Sequence, residues 1–133
     1  MEITVIIDVE DEIRKALAEY VTIYCKPLPE DFETPCLLVT CVGATSEYNW
    51  ANRATIDGFD VTLDARAKDD ATAVDELRKA LGILEAVTEK QDQAFSRIRV
   101  NTFSSSINDP VRPDLKLCTA RLRVFAHRKI ITV

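Results

Sequence analysis

The stretch that decides the fold is residues 54–81, ATIDGFDVTLDARAKDDATAVDELRKAL. In its first half apolar and polar side chains alternate, which predicts a β-strand with one buried face from about residue 53 to residue 67. The inward positions are Phe59, Val61, Leu63 and Ala65. Asp60, Thr62 and Asp64 are therefore expected on the opposite face, where they meet water or a partner.

The second half of this stretch predicts a helix. Asp69 and Asp70 supply the acidic residues that favour a helix start. Apolar side chains then recur at three- and four-residue steps, as one face of an amphipathic helix requires. That stripe comprises Val74, Leu77, Leu81, Leu84 and Val87.

Upstream of this unit the sequence predicts a helix and a strand. The helix begins near Asp8 and continues to about Tyr24, before Pro27 stops it. Its apolar face comprises Ile13, Leu17, Tyr20, Val21 and Tyr24. The run CLLVTCV, residues 36–42, predicts a strand, and the polar residues 43–52 predict a loop. The opening ITVII, residues 3–7, is an apolar segment that predicts an additional edge strand or arm.

Downstream, two more strands are expected, near residues 95–103 and 115–126. They flank SSSINDPVRPD, which is dense in residues that favour turns. The element order is therefore αββαββ. The chain is predicted to be a single α+β domain over residues 1–133, with an antiparallel sheet of about four strands and two helices packed on one face.

Composition narrows the class of protein. Apolar residues make up 47% of the 133 residues, which is typical of a packed globule. No apolar run is long enough to span a membrane, and the acidic start is unlike a signal peptide, so a cytoplasmic product without membrane contact is expected. The net charge of −5 argues against a protein that grips nucleic acid. The basic residues near the C-terminus indicate a strand with one solvated face, or alternatively a weak phosphate contact; they are Arg121, Arg123, His127, Arg128 and Lys129.

No pattern in the sequence indicates catalysis. The four cysteines lack metal-site or redox spacing and are interpreted as buried, reduced thiols. The single histidine, His127, has no nucleophile motif around it, and the glycines form no phosphate-binding loop. We therefore expect no enzyme activity, no cofactor and no metal. A small-molecule-binding α+β domain remains an alternative from another class.

Two loops contain candidate contact residues. Trp50 lies in the polar segment SEYNWANR and is either an exposed anchor for a partner or a side chain that pins the loop to its own core. Arg112 lies in the turn-rich segment before the last strand. The predicted interface residues are therefore Trp50, Asp60, Thr62, Asp64 and Arg112.

Four segments carry a family resemblance. They are the acidic-capped first helix, the connector PEDFETPCLLV, the strand and alanine-rich helix of residues 54–81, and the closing NDPVRPDLKLCTARLRVFAHR. Together these segments resemble the tail terminator proteins of long-tailed bacteriophages and prophages, a family that is also similar to minor tail and neck proteins. The match is one of architecture and covers most of the chain.

The resemblance implies a structural virion protein. Its subunits would form a ring, usually hexameric, that caps the tail tube, ends tail polymerisation and joins the tail to the head-neck connector. The implied partners are further copies of the chain, the tail tube protein and the connector protein, with DNA only passing through the lumen. Assembly would take place in the host bacterial cytoplasm. The alternative is a head-closure or neck adaptor of the same kind of particle.

Overall fold

The computed structural model describes residues 1–48, 55–90, 95–104 and 106–133. Within these ranges the chain forms two helices and eight strands. In chain order they are β1 (Glu2–Val5), α1 (Val9–Leu17), β2 (Ile23–Cys25), β3 (Cys36–Tyr48), β4 (Thr55–Ala67), α2 (Asp70–Thr88), β5 (Phe95–Phe103), β6 (Ile107–Asn108), β7 (Lys116–His127) and β8 (Lys129–Thr132).

The strands form one large sheet and one ribbon. The large sheet has the spatial order β2-β3-β4-β7-β5, with β6 beside β7. β2 is parallel to β3, and the other described pairs are antiparallel. β1 and β8 pair with each other as a separate antiparallel ribbon. β2 and β5 are thus the two edges of the described sheet.

Both helices pack on one face of the large sheet. α1 contacts β2 and β3, whereas α2 contacts β4, β7 and β5. The alternation predicted for β4 is confirmed, since Phe59, Val61 and Leu63 are buried beneath the helices. The same alternation in β7 buries Cys118, Ala120, Leu122, Val124 and Ala126. Burial of these side chains is the main source of stability in such a layered domain.

Aspartates cap the two helices. The Asp8 side chain accepts a hydrogen bond from the Asp11 N–H at 3.2 Å. Asp69 accepts bonds from the Thr72 N–H at 2.8 Å and from its hydroxyl at 3.0 Å. These bonds from Thr72 hold the pKa of Asp69 below its ordinary value. Each carboxylate satisfies an amide that would otherwise lack a partner in the first turn of its helix.

A loop covers one end of the second face of the sheet. The loop, residues 109–115, is tied down by Asp109, whose Oδ2 lies 2.8 Å from Nε of Arg66 on β4. Its Arg112 guanidinium lies 5.3 Å from the ring centroid of Phe32. Phe32 belongs to the connector, residues 26–35, that joins β2 to β3. Cys36 and Leu38 share the face of Arg66 in the strand register and are buried.

Burial also sets the ionisation of two groups at this end. It raises the pKa of the Cys36 thiol to about 11, so this thiol stays protonated and weakly nucleophilic at neutral pH. For Asp109 burial opposes ionisation, but hydrogen bonds from the Val111 N–H and from Arg66 outweigh it and hold the pKa below its ordinary value. The Arg66–Asp109 pair is therefore a buried ion pair.

The α+β class with two helices is confirmed, but the predicted sheet was too simple. The prediction of about four antiparallel strands missed β2, β6, β8 and the parallel β2–β3 pair. The edge strand or arm expected at residues 3–7 corresponds to β1, which pairs with β8 in the ribbon. The first helix was predicted to reach Tyr24 but ends at Leu17. The β-branched and aromatic residues of VTIYC, residues 21–25, favour an extended chain, and Ile23–Cys25 forms β2.

Two further predictions need correction. Residues 43–48 were assigned to a loop, but β3 continues through them to Tyr48 and pairs with β4. The register shifts between Cys41 and Gly43, as it does at a β-bulge. The residues after this shift are mostly polar, so they give no strong strand signal in the sequence. Cys36 and Cys118 are buried as predicted, whereas Cys25 and Cys41 are only half-buried.

Candidate functional site

The uncovered part of the second sheet face is the first candidate site. We call it the open face and define it by six outward side chains of β4, β7 and β5: Asp60, Thr62, Arg99, Thr102, Arg121 and Arg123. The strand register sets them in rows. Thr62 and Thr102 both lie opposite Arg121, while Asp60 and Arg99 both lie opposite Arg123.

One row of the open face is held by a network around Arg123. Its Nη1 lies 3.1 Å from Oδ1 of Asp60, and its guanidinium donates to the Thr45 hydroxyl. The guanidinium also lies 5.6 Å from the Phe125 ring centroid. Gly58 makes room for this network, because a Cβ there would lie 2.5 Å from Nη2 of Arg123. Arg123 is therefore a fixed, neutralised charge.

The next row contains a groove around Arg121. The groove has a volume of about 560 Å³ and is lined in part by Val42, Asp60, Thr62, Asn101 and Arg121. Arg121 is exposed. Its side chain makes no hydrogen bond or ion pair with the residues that the structure describes. The guanidinium is thus available to an anionic group.

The structure brings three of the five predicted interface residues together. Asp60, Thr62 and Asp64 lie on one side of β4, on the face opposite the helices. Asp64 is engaged within the chain, since its Oδ1 accepts a hydrogen bond from the Thr119 hydroxyl at 2.7 Å. That they form an interface stays a prediction.

The other two predicted residues lie elsewhere. Arg112 is on the 109–115 loop, outside the open face, where it pairs with Asp114 at 3.2 Å. Trp50 lies outside the described residues. The sequence predicts that Arg121 and Arg123 lie on one solvated side of a strand, but it does not single out Arg121. Their alternation with Leu122 and Val124 placed them correctly, but only the strand order shows which residues flank them.

No protein-family model and no curated protein sequence matches this chain.

The described residues limit the chemistry of the site. None of their groups of His, Cys, Asp and Glu side chains has the arrangement needed to hold a metal ion. No helix in the described ranges is long and apolar enough to cross a membrane. His127 is exposed at the end of β7. What the open face offers is charge pairing and hydrogen bonding to a partner.

The terminal ribbon of β1 and β8 is a second candidate surface. Its register runs from Glu2 opposite Thr132 to Val5 opposite Lys129. Among the described elements, its strands make extensive contact only with each other. Ile6 beside it is 53% exposed and Ile130 within it is 66% exposed. A lone two-stranded ribbon is marginally stable in water, so its apolar side chains favour contact with another surface.

A shallow groove between α2 and β5 is a third surface. It measures about 510 Å³ and lies between Leu81 of the helix and Ile98 of the strand. Val100 and Phe103 also line it and are exposed, although the strand register turns them toward the helix side of the sheet. β5 thus combines an apolar side with a basic side at the edge of the sheet.

Proposed function

We propose that the chain is a structural virion protein of a long-tailed phage or prophage. In this proposal its copies form a ring that caps the tail tube, ends tail polymerisation and joins the tail to the head-neck connector. The resemblance of four segments to tail terminator proteins motivates it. The α+β fold, with two helices on one face of a sheet, is compatible with that resemblance.

The observation that carries the proposal is the terminal ribbon. Its exposed apolar residues and their neighbours are Met1, Ile3, Ile6, Ile130 and Val133. Exposed apolar residues gathered on one ribbon are typical of a surface that contacts a partner. A subunit that docks this ribbon on a neighbour buries them at little cost in conformational freedom.

The shape of the sheet supports a ring in particular. A ring closes by heterologous contacts, in which one surface of a subunit meets a different surface of the next. The edges β2 and β5 differ in length, direction and charge, so they suit head-to-tail contact. The net charge of −5 also suits a lumen through which DNA passes without being bound, since like charges repel.

The test is light scattering after size-exclusion chromatography, with and without purified tail tubes of the same particle. A closed ring, or binding to tube ends that blocks elongation, is the expected result. A chain that ignores tubes but binds a portal or connector ring would overturn the terminator role and indicate the neck adaptor. A chain that binds neither would overturn both roles.

A further inference from the structure

The sheet carries opposite charges at its two edges. Outward positions of β5 and β7 place four arginines on one side: Arg97, Arg99, Arg121 and Arg123. The connector that follows β2, at the other edge, carries Glu30, Asp31 and Glu33, all exposed. With a strand spacing of about 4.8 Å, the two edges of the five-strand path lie roughly 19 Å apart. The chain is therefore acidic overall but has a localised basic region.

Within that basic region Arg121 is the group best placed to receive a ligand. Arg123 is neutralised by Asp60, and Arg99 donates to the Asn101 side chain at 3.0 Å. Arg121 has no such partner in the described part of the chain, and threonines 62 and 102 flank it in the register. A planar guanidinium binds a carboxylate through two parallel hydrogen bonds, and the hydroxyls offer further donors.

The acidic connector has complementary properties. The side chains of Glu30, Asp31 and Glu33 form no ion pair with the residues that the structure describes. The segment is nevertheless held in place, because the Glu33 N–H donates to the Tyr24 hydroxyl at 3.2 Å and Phe32 lies beneath Arg112. Carboxylates on an anchored segment lose little freedom when they bind.

We infer that the Arg121 groove of one copy binds the acidic connector of a second copy. The inference rests on the proposed ring assembly and assigns one of its contacts. The Arg121 groove of each copy meets the acidic connector of the next, so the contact is heterologous and every copy uses both surfaces once. Asp31 lies in the middle of the acidic segment and is the residue we assign to Arg121.

The charges around the groove favour protein carboxylates over a nucleic acid. Asp60 lines the groove, and Asp64 follows it on the same side of β4. These acids would repel a continuous phosphate backbone laid along this side of β4, and the chain as a whole has a charge of −5. A short acidic segment needs to contact only the Arg121 guanidinium, so it meets less of this repulsion than a continuous polyanion does.

The experiment measures self-association of the full chain by sedimentation equilibrium at low salt. Binding to purified tail tubes and capping of the tubes are measured on the same variants. Arg121→Glu places like charges in the contact, so we expect the dissociation constant for self-association to rise at least about tenfold. The double variant Glu30→Lys with Asp31→Lys should weaken association similarly. An equimolar mixture of the Arg121→Glu chain and the double variant should form mixed assemblies of nearly wild-type affinity, because the reversed groove then meets the reversed connector and the two unchanged surfaces also match.

Matched controls carry the same charge changes on the helix side. Lys90→Glu after α2 matches Arg121→Glu, and Asp75→Lys with Glu89→Lys on α2 matches the connector variant. All three residues are exposed. The controls should associate as wild type does, which separates a specific contact from an effect of net charge. Circular dichroism and thermal unfolding check that every variant is folded.

The outcomes distinguish this inference from the proposed function. If the reversed variants assemble as the wild type does while tubes are still capped, the Arg121 contact is wrong and the proposed function stands. If the charges control self-association but tubes are neither bound nor capped, the contact stands and the proposed function fails. No association of the wild type, either free or on tubes, would overturn the contact.

Discussion

At the scale of single residues, the Arg66–Asp109 pair is the contact on which the covered end of the sheet depends. Both side chains are largely buried, at 12% and 2% exposure. The Val111 N–H also donates to Asp109, which fixes the start of the 109–115 loop. Arg66 Nη1 is buried and has no hydrogen-bond partner among the described residues, so the pair is not fully compensated. Its two members therefore depend strongly on each other.

Arg66→Met should destabilise the fold by roughly 3 kcal/mol, because it leaves the Asp109 carboxylate buried without its counter-charge. Urea unfolding followed by circular dichroism measures this change. The double variant Arg66→Met with Asp109→Leu should recover much of the loss, since both charges then disappear together. A double variant less stable than Arg66→Met alone would contradict this account.

The same pair predicts that the stability of the fold depends on pH in the acid range. The pKa of Asp109 in the folded chain lies below its ordinary value of 3.8. Its ionised form therefore stabilises the fold fully above that value, and this contribution is lost as the pH falls through the lowered pKa. The difference in melting temperature between the wild type and Asp109→Asn should be constant near neutral pH and narrow in acid. A difference that widens in acid would contradict the assigned direction.

At the scale of elements, strong alternation in the sequence was a reliable guide. The periodicities of β4 and β7 predicted which side chains face the core, and the open face follows from that. For α2 the predicted stripe packs on the core, with Leu77 and Leu84 fully buried and the other three members partly buried. The sequence prediction missed the buried alanines, Ala73 and Ala80. Small alanines allow the helix to approach the sheet closely, and a hydrophobicity pattern gives them little weight.

Pairing between distant strands could not be predicted from the sequence. β2 is too short for a periodic signal, and its parallel partner follows a ten-residue connector, residues 26–35. The neighbours of Arg121 come from β4 and β5, which the strand order alone brings together. Single acidic and basic residues are therefore predicted to be ordinary solvent-exposed residues until their partners across the sheet are known.

The ribbon gives a prediction at the same scale. Ile6→Thr with Ile130→Thr should change the free energy of unfolding by less than about 0.5 kcal/mol per site, because both side chains are exposed. Ring formation or binding to tubes should be lost, because the apolar contact surface is gone. Light scattering and urea unfolding of the same samples measure both effects.

Val111→Thr is the matched control for the ribbon variants. Val111 is an exposed apolar residue on the 109–115 loop and is not part of the ribbon. This variant should assemble normally. Loss of stability without loss of assembly in the ribbon variant would show that the ribbon supports the fold and not the contact.

At the scale of the whole molecule, the chain has one core shared by both helices and the large sheet, with the ribbon beside it. Hydrogen exchange followed by mass spectrometry should therefore give two classes of amide in the free chain. Amides of β4 and β7 should exchange only through global unfolding, whereas those of β1 and β8 should exchange much faster. In the assembled state the ribbon amides should become protected. Equal protection of ribbon and core in the free chain would contradict a separate ribbon.

The register of the ribbon also sets an order in time. Glu2 pairs with Thr132, so β1 has no partner until β8 has left the ribosome. Closing so long a loop is entropically costly, and the contact gains little until the core between its strands has folded. A truncated or half-made chain can thus form α1 and the β3–β4 hairpin but not the ribbon. If assembly requires the ribbon, incomplete chains are excluded from the particle without any separate inspection step.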